Sequence, residues 1–405
     1  AAARFSETNR WGTFWSVSGK WNIHNEEFFN KDGFVNELKL RASYGIAGNQ
    51  RVGGAFNALS LYNIDGTSYN GTVGYGLAQI DNPELKWEET AQFNVGLDFA
   101  LMDYKLTGTI DVYHKETTDL FIARPLSLLS ATNTINANLG ALENQGVELG
   151  LNYQILDGDF KWSVNGNIAY NKNEVTDLGD DFNPDNPIPN GGGTFLSEGQ
   201  PIGSFYRVRW AGVNPADGLP LYLDADGNLT NQYNTSDRVF VDKTQDPKFV
   251  GGFGTNLSYK GFALNALFSY AADQWRLNGS YAIIEDTSLA GFSNMSTALL
   301  RAWQQPGDVT DIPRFTSSSL RGEAGTRYLE DASFLRLRNI SLSYSLDKEL
   351  LERTKLFTNV RVYVQGQNLL TFTKWRGFDP ESNIASTFFE YPTPKTVTVG
   401  FDVEF

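Results

Sequence analysis

Trp87-Glu88-Glu89-Thr90-Ala91-Gln92-Phe93-Asn94-Val95-Gly96-Leu97-Asp98-Phe99-Ala100-Leu101 is the stretch on which the fold turns. Its odd positions carry Trp87, Ala91, Phe93, Val95, Leu97, Phe99 and Leu101; its even positions carry Glu88, Thr90, Gln92, Asn94, Gly96 and Asp98. Successive side chains of a strand point to opposite faces, so this spacing draws a strand with one apolar and one polar side. The pattern holds for about fifteen residues, where strands ordinarily run to about five or six. Met102-Asp103 turns the chain, and Tyr104, Leu106, Ile110 and Val112 then alternate with Lys105, Thr107, Thr109 and Asp111.

The same alternation recurs outward from this hairpin. Val147, Leu149, Leu151, Tyr153 and Ile155 face away from Glu148, Gly150, Asn152 and Gln154; Asp157-Gly158-Asp159 turns the chain, and Trp162, Val164, Ile168 and Tyr170 face away from Ser163, Asn165, Asn167 and Asn171. Lys260-Gly261 joins 249–259 to 262–270, and 333–346, 359–370 and 394–405 follow. Two architectures accept such strands: a soluble antiparallel sheet with its apolar face inward, and a transmembrane barrel with that face toward lipid. Runs of ten residues or more suffice to cross a bilayer at a tilt of about 45°. Tyr104, Tyr153, Phe160, Trp162, Tyr259 and Phe262 bracket the short turns, where an interfacial girdle of aromatics belongs. Short turns also alternate with long connections, as they do in outer-membrane barrels. The expected fold class is therefore all-β, a transmembrane antiparallel β-barrel.

Counting strands sharpens this. With the last strand descending to a periplasmic Phe405, the turns near 347–357, 260–261, 157–159 and 102–103 fall on the periplasmic side, and all are short. The stretches 273–332, 371–393, 121–138 and 47–86 then fall outside, and all are long. Between 174 and 248 a pair is expected, 204–212 and 219–223 around Asn214-Pro215-Ala216-Asp217-Gly218. Strands at 13–23 and 36–46, around Asn30-Lys31-Asp32-Gly33, bring the total to thirteen. An odd number does not close a single-chain barrel with both ends in the periplasm. The 405 residues are thus expected to be the C-terminal part of one larger barrel domain.

Composition removes other classes. Lys+Arg is 33 against Asp+Glu 47, a net charge of −14 that argues against a nucleic-acid partner. No cysteine and two histidines leave no thiolate or disulfide chemistry and almost nothing for a zinc site or a His-centred triad. No uncharged apolar run approaches the ~18–20 residues of a spanning helix. No metal and no cofactor is expected.

The final strand places Val397, Val399, Phe401, Val403 and Phe405 on one face and Thr396, Thr398, Gly400, Asp402 and Glu404 on the other. Its ending, with Gly400, Val403 and the terminal aromatic Phe405, resembles the signal by which outer-membrane barrels are handed to the barrel-insertion machinery. Further stretches are similar to SusC/RagA-type TonB-dependent transporters. They are Arg4-Phe5, Asn9-Arg10-Trp11-Gly12-Thr13-Phe14, Leu38-Lys39-Leu40-Arg41-Ala42-Ser43-Tyr44-Gly45, Asn82-Pro83-Glu84-Leu85-Lys86-Trp87-Glu88 and Asn144-Gln145-Gly146-Val147-Glu148. Gly199-Gln200-Pro201-Ile202-Gly203-Ser204-Phe205-Tyr206, Asp246-Pro247-Lys248-Phe249, the run Phe334–Tyr344 and Gln367-Asn368-Leu369-Leu370 continue the likeness in family order. The resemblance implies a 22-stranded barrel around an N-terminal plug, of which these would be the last thirteen strands. It also implies energy from TonB acting through the plug region, and a SusD-like surface lipoprotein as lid. The plug, the TonB-contacting motif and the first strands have no counterpart in this chain. Asp224-Ala225-Asp226-Gly227-Asn228 stands where the family often carries a longer Asp/Asn/Gly-rich loop.

Candidate site residues follow from these placements. Outer stretches set aromatics among amides and cations: Asn49, Gln50, Phe56, Asn57, Tyr62, Tyr69, Asn70 and Tyr75, then Trp275, Arg276, Tyr281, Trp303 and Arg327, then Trp375, Arg376 and Phe378. Flat rings against apolar sugar or peptide surfaces, with amides fixing polar groups, suit a nutrient site; the same residues also suit loop packing. Asn49, Gln50, Tyr62, Tyr69, Trp275, Arg276, Trp303, Trp375 and Arg376 are the substrate-binding candidates. Ser296–Gln304 has helical character ending at Pro306-Gly307. Arg336 and Arg338 share a strand face, and the apolar phase then shifts to Ile340, Leu342 and Tyr344, which calls for a bulge near Asn339. Both arginines are expected to point into the lumen, toward a plug carboxylate or toward water. Asp224, Asp226 and Asn228 sit at calcium-loop spacings, but Leu229 and Thr235 stand where such a loop needs Gly and Glu, so a hairpin turn fits better. His24 falls in a periplasmic turn and His114 on the lipid-side register of its strand, neither with an evident partner.

The expected function is TonB-dependent import of an oligosaccharide or peptide across the outer membrane of a Gram-negative bacterium, without covalent catalysis. A passive porin is the first alternative and an outer-membrane barrel hydrolase the second.

Overall fold

The computed structural model describes the chain apart from residues 1, 3, 31, 52–55, 57, 70, 71, 128, 131, 133, 181 and 383. Ala1, Ala3, Lys31, Asn57 and Asn70, and the side chain of Tyr69, lie outside the described set.

Eleven long strands form one sheet in chain order. They are β1 (Ser16–Trp21), β2 (Val35–Asn49), β3 (Glu88–Leu101), β4 (Leu106–Thr118), β5 (Ala141–Asp157) and β6 (Phe160–Asp177), then β7 (Phe249–Tyr259), β8 (Phe262–Ala272), β9 (Phe334–Ser345), β10 (Asn359–Thr373) and β11 (Thr396–Glu404). Where their registers are resolved, neighbours are antiparallel. Sequential antiparallel neighbours need only hairpins, and the tight ones are short. Lys260 and Gly261 have φ of 45° and 83° and close the Tyr259↔Phe262 pair. This positive-φ pair matches the twist of the flanking strands, and glycine takes it without strain.

Which face is bare decides between the two architectures. Phe93 is 49% exposed, Val112 50%, Phe253 44% and Val399 75%. A soluble sheet would bury these positions, and a lipid-facing sheet leaves them open. Aromatic pairs bound this apolar band. Phe160 meets Tyr259 at 6.2 Å between ring centroids, and ten residues along the same ladder Tyr170 meets Phe249 at 5.1 Å. Ten residues at about 3.3 Å each, tilted about 45°, span roughly 23 Å, close to the ~25 Å apolar band of outer-membrane barrels. No helix among the described residues is long and apolar enough to cross a membrane, which leaves crossing by strands untouched.

The count differs from the sequence expectation at one place. Ser204–Val213 and Pro220–Leu223 leave the wall and join Leu229–Thr230 and Arg238–Thr244 in a separate four-stranded sheet. Four residues cannot cross a bilayer, for which a strand needs about 9–11. Phe205, Val208 and Tyr222 are buried to 0%, 0% and 1% exposure, so both faces of this sheet are covered by protein. Removing a pair from thirteen leaves eleven, and the count stays odd.

Contacts divide the chain into two units, 1–149 with 171–186 and 197–201, and 150–170 with 187–196 and 202–405. In the first, hairpins Leu61–Tyr69/Thr72–Gln79 and Phe121–Pro125/Thr134–Asn138 occupy stretches read as loops. The second carries a six-residue helix, Gly279–Ile284, capped by Asn278. It also carries a seven-residue helix, Lys348–Thr354, in the 347–357 turn. Asp347 accepts from the Glu349 N–H to start that helix, and Lys355 ends it at φ 52°. The helix expected at Ser296–Gln304 is a single 3-10 turn, Thr297–Arg301. Its continuation fails because the Trp303 N–H bonds the Ile312 carbonyl instead, and Leu299 and Ala302 pack on Ile312.

Candidate functional site

The polar face of the wall is laced by cross-strand side-chain bonds. Arg41 of β2 donates from Nε to Asp98 of β3 at 2.9 Å and from Nη2 to Asp111 of β4 at 3.0 Å. Gln365 of β10 donates to Asn339 of β9 at 2.7 Å, and Asn265 of β8 to Ser341 at 3.4 Å. Amides recur here because each can both donate and accept across the strands.

Strand β9 carries the expected irregularity. Leu267 pairs with Asn339 and Phe268 with Leu337, so Arg338 is the extra residue of a bulge. The bulge lets Arg336, Arg338 and Asn339 share the polar face and returns Ile340, Leu342 and Tyr344 to the apolar one. The carboxylates on these arginines come from the loop that follows β10. Arg336 reaches Asp379 at 2.5 Å and Glu381 at 2.9 Å, and Arg338 bonds Glu381 and, at 2.7 Å, Ser269. Burial alone would raise the Asp379 carboxyl, but the bonds from Arg336, Thr393 and two backbone N–H groups hold it down to about 2.

Two loops, 273–332 and 374–393, are bound together by two arginines, Arg276 and Arg376. Arg276 is fully buried and donates to the carbonyls of Ile384, Asp379 and Pro380 at 3.0, 3.1 and 2.8 Å, while its guanidinium lies 5.4 Å from the Trp375 ring. Burial lowers its pKa, with Glu390 and Asp379 opposing. Arg376 donates to Glu330 from Nε at 3.0 Å, stands 3.6 Å from Glu285 and covers the Tyr281 ring at 4.3 Å. Arg327 stands 3.6 Å from Glu285 on another side. Burial still pushes the Glu285 carboxyl up despite both cations. Arg336, from the wall, ties the 374–393 loop down onto β9 through Asp379 and Glu381.

The remaining expected residues sit as follows. Trp303 donates to the Pro215 carbonyl at 2.9 Å and lies on Gly218, where a Cβ would meet the indole at 2.5 Å. Trp275 donates to Asp273 at 3.1 Å beneath Lys243. Asn49 donates to Glu88 at 2.7 Å and accepts from the Arg51 N–H. Gln50 and Tyr62 are exposed. Asp224 spends both carboxylate oxygens on the Asn228 N–H and amide, at 2.8 and 3.2 Å, closing a hairpin turn. His24 bonds the Leu38 carbonyl at 3.0 Å, and His114 has Glu143 at 3.4 Å, a neighbour the strand pattern did not disclose. Gly400 leaves room for the Tyr363 ring, Val403 pairs with Val360, and Phe405 packs on Phe357 at 5.4 Å.

Residues 2–369 match the family model of the TonB dependent receptor-like β-barrel. The chain belongs to this family. Among curated receptors it is 34% identical over its whole length to TonB-dependent receptor P3 of Formosa agariphila, covering 43% of that protein. It is 31% identical to TonB-dependent receptor SusC of Bacteroides thetaiotaomicron, covering all of this chain and 41% of SusC. The solved RagAB peptide transporter superposes on all of the chain with a TM-score of 0.90 at 32% identity, over 44% of its own chain. The chain thus spans somewhat under half the length of these relatives.

Within this family frame, the expected SusC/RagA likeness and the all-β wall hold. Of the nine expected substrate contacts, Arg276 and Trp375 are withdrawn from solvent, at 0% and 5% exposure, and clamp loop to loop. Trp275, Trp303 and Arg376 are likewise engaged within the loops. Asp379, Glu381, Glu285 and Glu330 were missed. The run Gly377-Phe378-Asp379-Pro380-Glu381 holds two of them, an acidic pair in a loop facing a strand with two arginines.

Proposed function

We propose that the chain is the C-terminal barrel wall of a TonB-dependent outer-membrane importer for an oligosaccharide or a peptide. The observation that carries this is the inside-out sheet, bare and apolar on one side and amide- and ion-laced on the other, in a chain RagA-like throughout. Such a wall sits in the lipid bilayer of a Gram-negative outer membrane. It would complete a 22-stranded barrel around a plug supplied by the rest of the protein, of which these are the last eleven strands. TonB, pulling the plug, opens the polar path. A SusD-like lipoprotein closes the mouth over the clamped outer loops, and Gly400, Val403 and Phe405 present the last strand to the insertion machinery. No step needs a covalent intermediate, so we infer a transporter and not an enzyme.

The test is uptake of candidate oligosaccharides and peptides by the source bacterium, with this gene or its TonB deleted. Uptake lost in both strains supports active import. Uptake that survives loss of TonB identifies a passive porin instead.

A further inference from the structure

Asp379 and Glu381 engage the same arginine pair in unequal ways. Asp379 is 7% exposed and accepts from Arg336, from the Thr393 hydroxyl and N–H, and from the Glu381 N–H. It is tied from four directions. The Glu381 side chain is 35% exposed and, among the described residues, accepts only from Arg336 and Arg338. One carboxylate belongs to the framework; the other is held by the arginines alone.

Arg338 also walls a groove of about 700 Å³ on the polar face, with Asn152, Asn165, Asn167, Ser269 and Gly252. Its volume falls within the ~300–1,000 Å³ of small-molecule sites. Among the described residues that line it Arg338 is the one cation, and Glu381 meets that guanidinium from beyond the lining. The side chains of Asn152 and Asn165 make no hydrogen bond to any described residue, and Asn167 spends its Oδ1 on the Gly252 N–H at 2.7 Å. Uncommitted amides offer donors and acceptors to hydroxyls or peptide groups, and the missing side chain at Gly252 lowers the floor. A guanidinium matches a carboxylate with paired donors, which makes Arg338 the discriminating end.

We propose that this groove is a carboxylate-reading subsite and that Glu381 occupies its cationic end as a built-in stand-in, displaced by the carboxylate of an acidic solute. The proposal rests on the import reading, since only a solute moving along the polar face meets the groove. A uronate of an oligosaccharide and an acidic side chain of a short peptide share this chemistry.

Calorimetry on the full-length transporter in detergent tests it with two matched pairs, trigalacturonate against maltotriose and a Glu-containing tetrapeptide against its Gln counterpart. One acidic probe should bind at least tenfold tighter than its neutral match, and which one identifies the source. E381Q should tighten that probe several-fold, R338Q should abolish the preference, and N165A should weaken it a few-fold. Heat-modifiable migration and protease resistance of 374–393 confirm that each variant is folded; R338K serves if R338Q is not. Equal affinity for acidic and neutral probes in both wild type and E381Q overturns the subsite. So does an acidic preference unchanged in folded R338Q or R338K, or E381Q weakening acidic binding as R338Q does. Binding needs no TonB, so TonB-independent uptake sinks the import reading while leaving this measurement intact.

Discussion

Arg41 reaches Asp111 across a whole intervening strand, and Gly96 is the residue that lets it. Arg41, Gly96 and Asp111 are opposite one another in a single cross-strand row. A Cβ on Gly96 would lie 2.5 Å from Asp111 Oδ1 and 2.6 Å from Arg41 Nη2. Gly96→Ala therefore forces the pair apart, and Gly96→Val more so. The side chains are 33% and 18% exposed, so the pair itself is worth only about 1 kcal/mol; strain brings the expected loss to about 1–2 kcal/mol. Unfolding of the folded barrel in detergent measures it. Stability unchanged in Gly96→Val would show that the row carries nothing.

Asp379 gives the outer loops a defined acid limit. Its folded pKa, about 2, lies below the ordinary aspartate value of 3.8. A depressed carboxylate contributes stability that is complete above the unfolded value and is lost as pH falls through the folded one. The window is thus pH ~4 down to ~2, and the size is about 2 kcal/mol. Trp375, buried beside Arg276, reports loop order by its fluorescence. The 374–393 loop should stay ordered at pH 4 and loosen toward pH 2, and D379N should be loosened at neutral pH with that acid step gone. A D379N loop titrating like wild type would remove Asp379 as the cause.

The wall was legible because lipid and lumen impose a period of two, and that period survives in 88–101 and 160–177 without any knowledge of partners. Even the bulge at Arg338 showed, since a phase shift from Arg336 to Ile340 has few other causes. Short elements covered by protein on both faces leave no such signature. The stretch 219–223 reads as a returning wall strand, yet Tyr222 is buried and the strand belongs to a separate small sheet. Long-range pairings were the least legible. Arg276 meets the Asp379 carbonyl across 103 residues, and nothing at either position separates a buried clamp from an open binding residue.

Arg276 separates these two roles experimentally. Its side chain, at 0% exposure, donates to three carbonyls, so Arg276→Met takes that donor from three acceptors, two of them in buried bonds. A buried acceptor left unsatisfied costs about 1–3 kcal/mol. Protease should then cut within 374–393 while the strands keep their heat-modifiable fold. A variant that loses ligand affinity with the loop still resistant would make Arg276 a substrate contact instead.

Phe253 tests the orientation of the whole sheet. It stacks on Phe268 at 4.9 Å and 14° on the apolar face, midway between the aromatic pairs that end the β6–β7 ladder. An arginine facing lipid near the midplane costs about 2–4 kcal/mol. Phe253→Arg should therefore impair assembly strongly, whereas Asn256→Arg, three residues on and on the polar face, should assemble near the wild-type level. Membrane fractionation and heat-modifiable migration read both. If the two variants behaved alike, or if Asn256→Arg were the damaging one, the apolar face would not be the lipid face, and a soluble sheet burying Phe253 would become the better account.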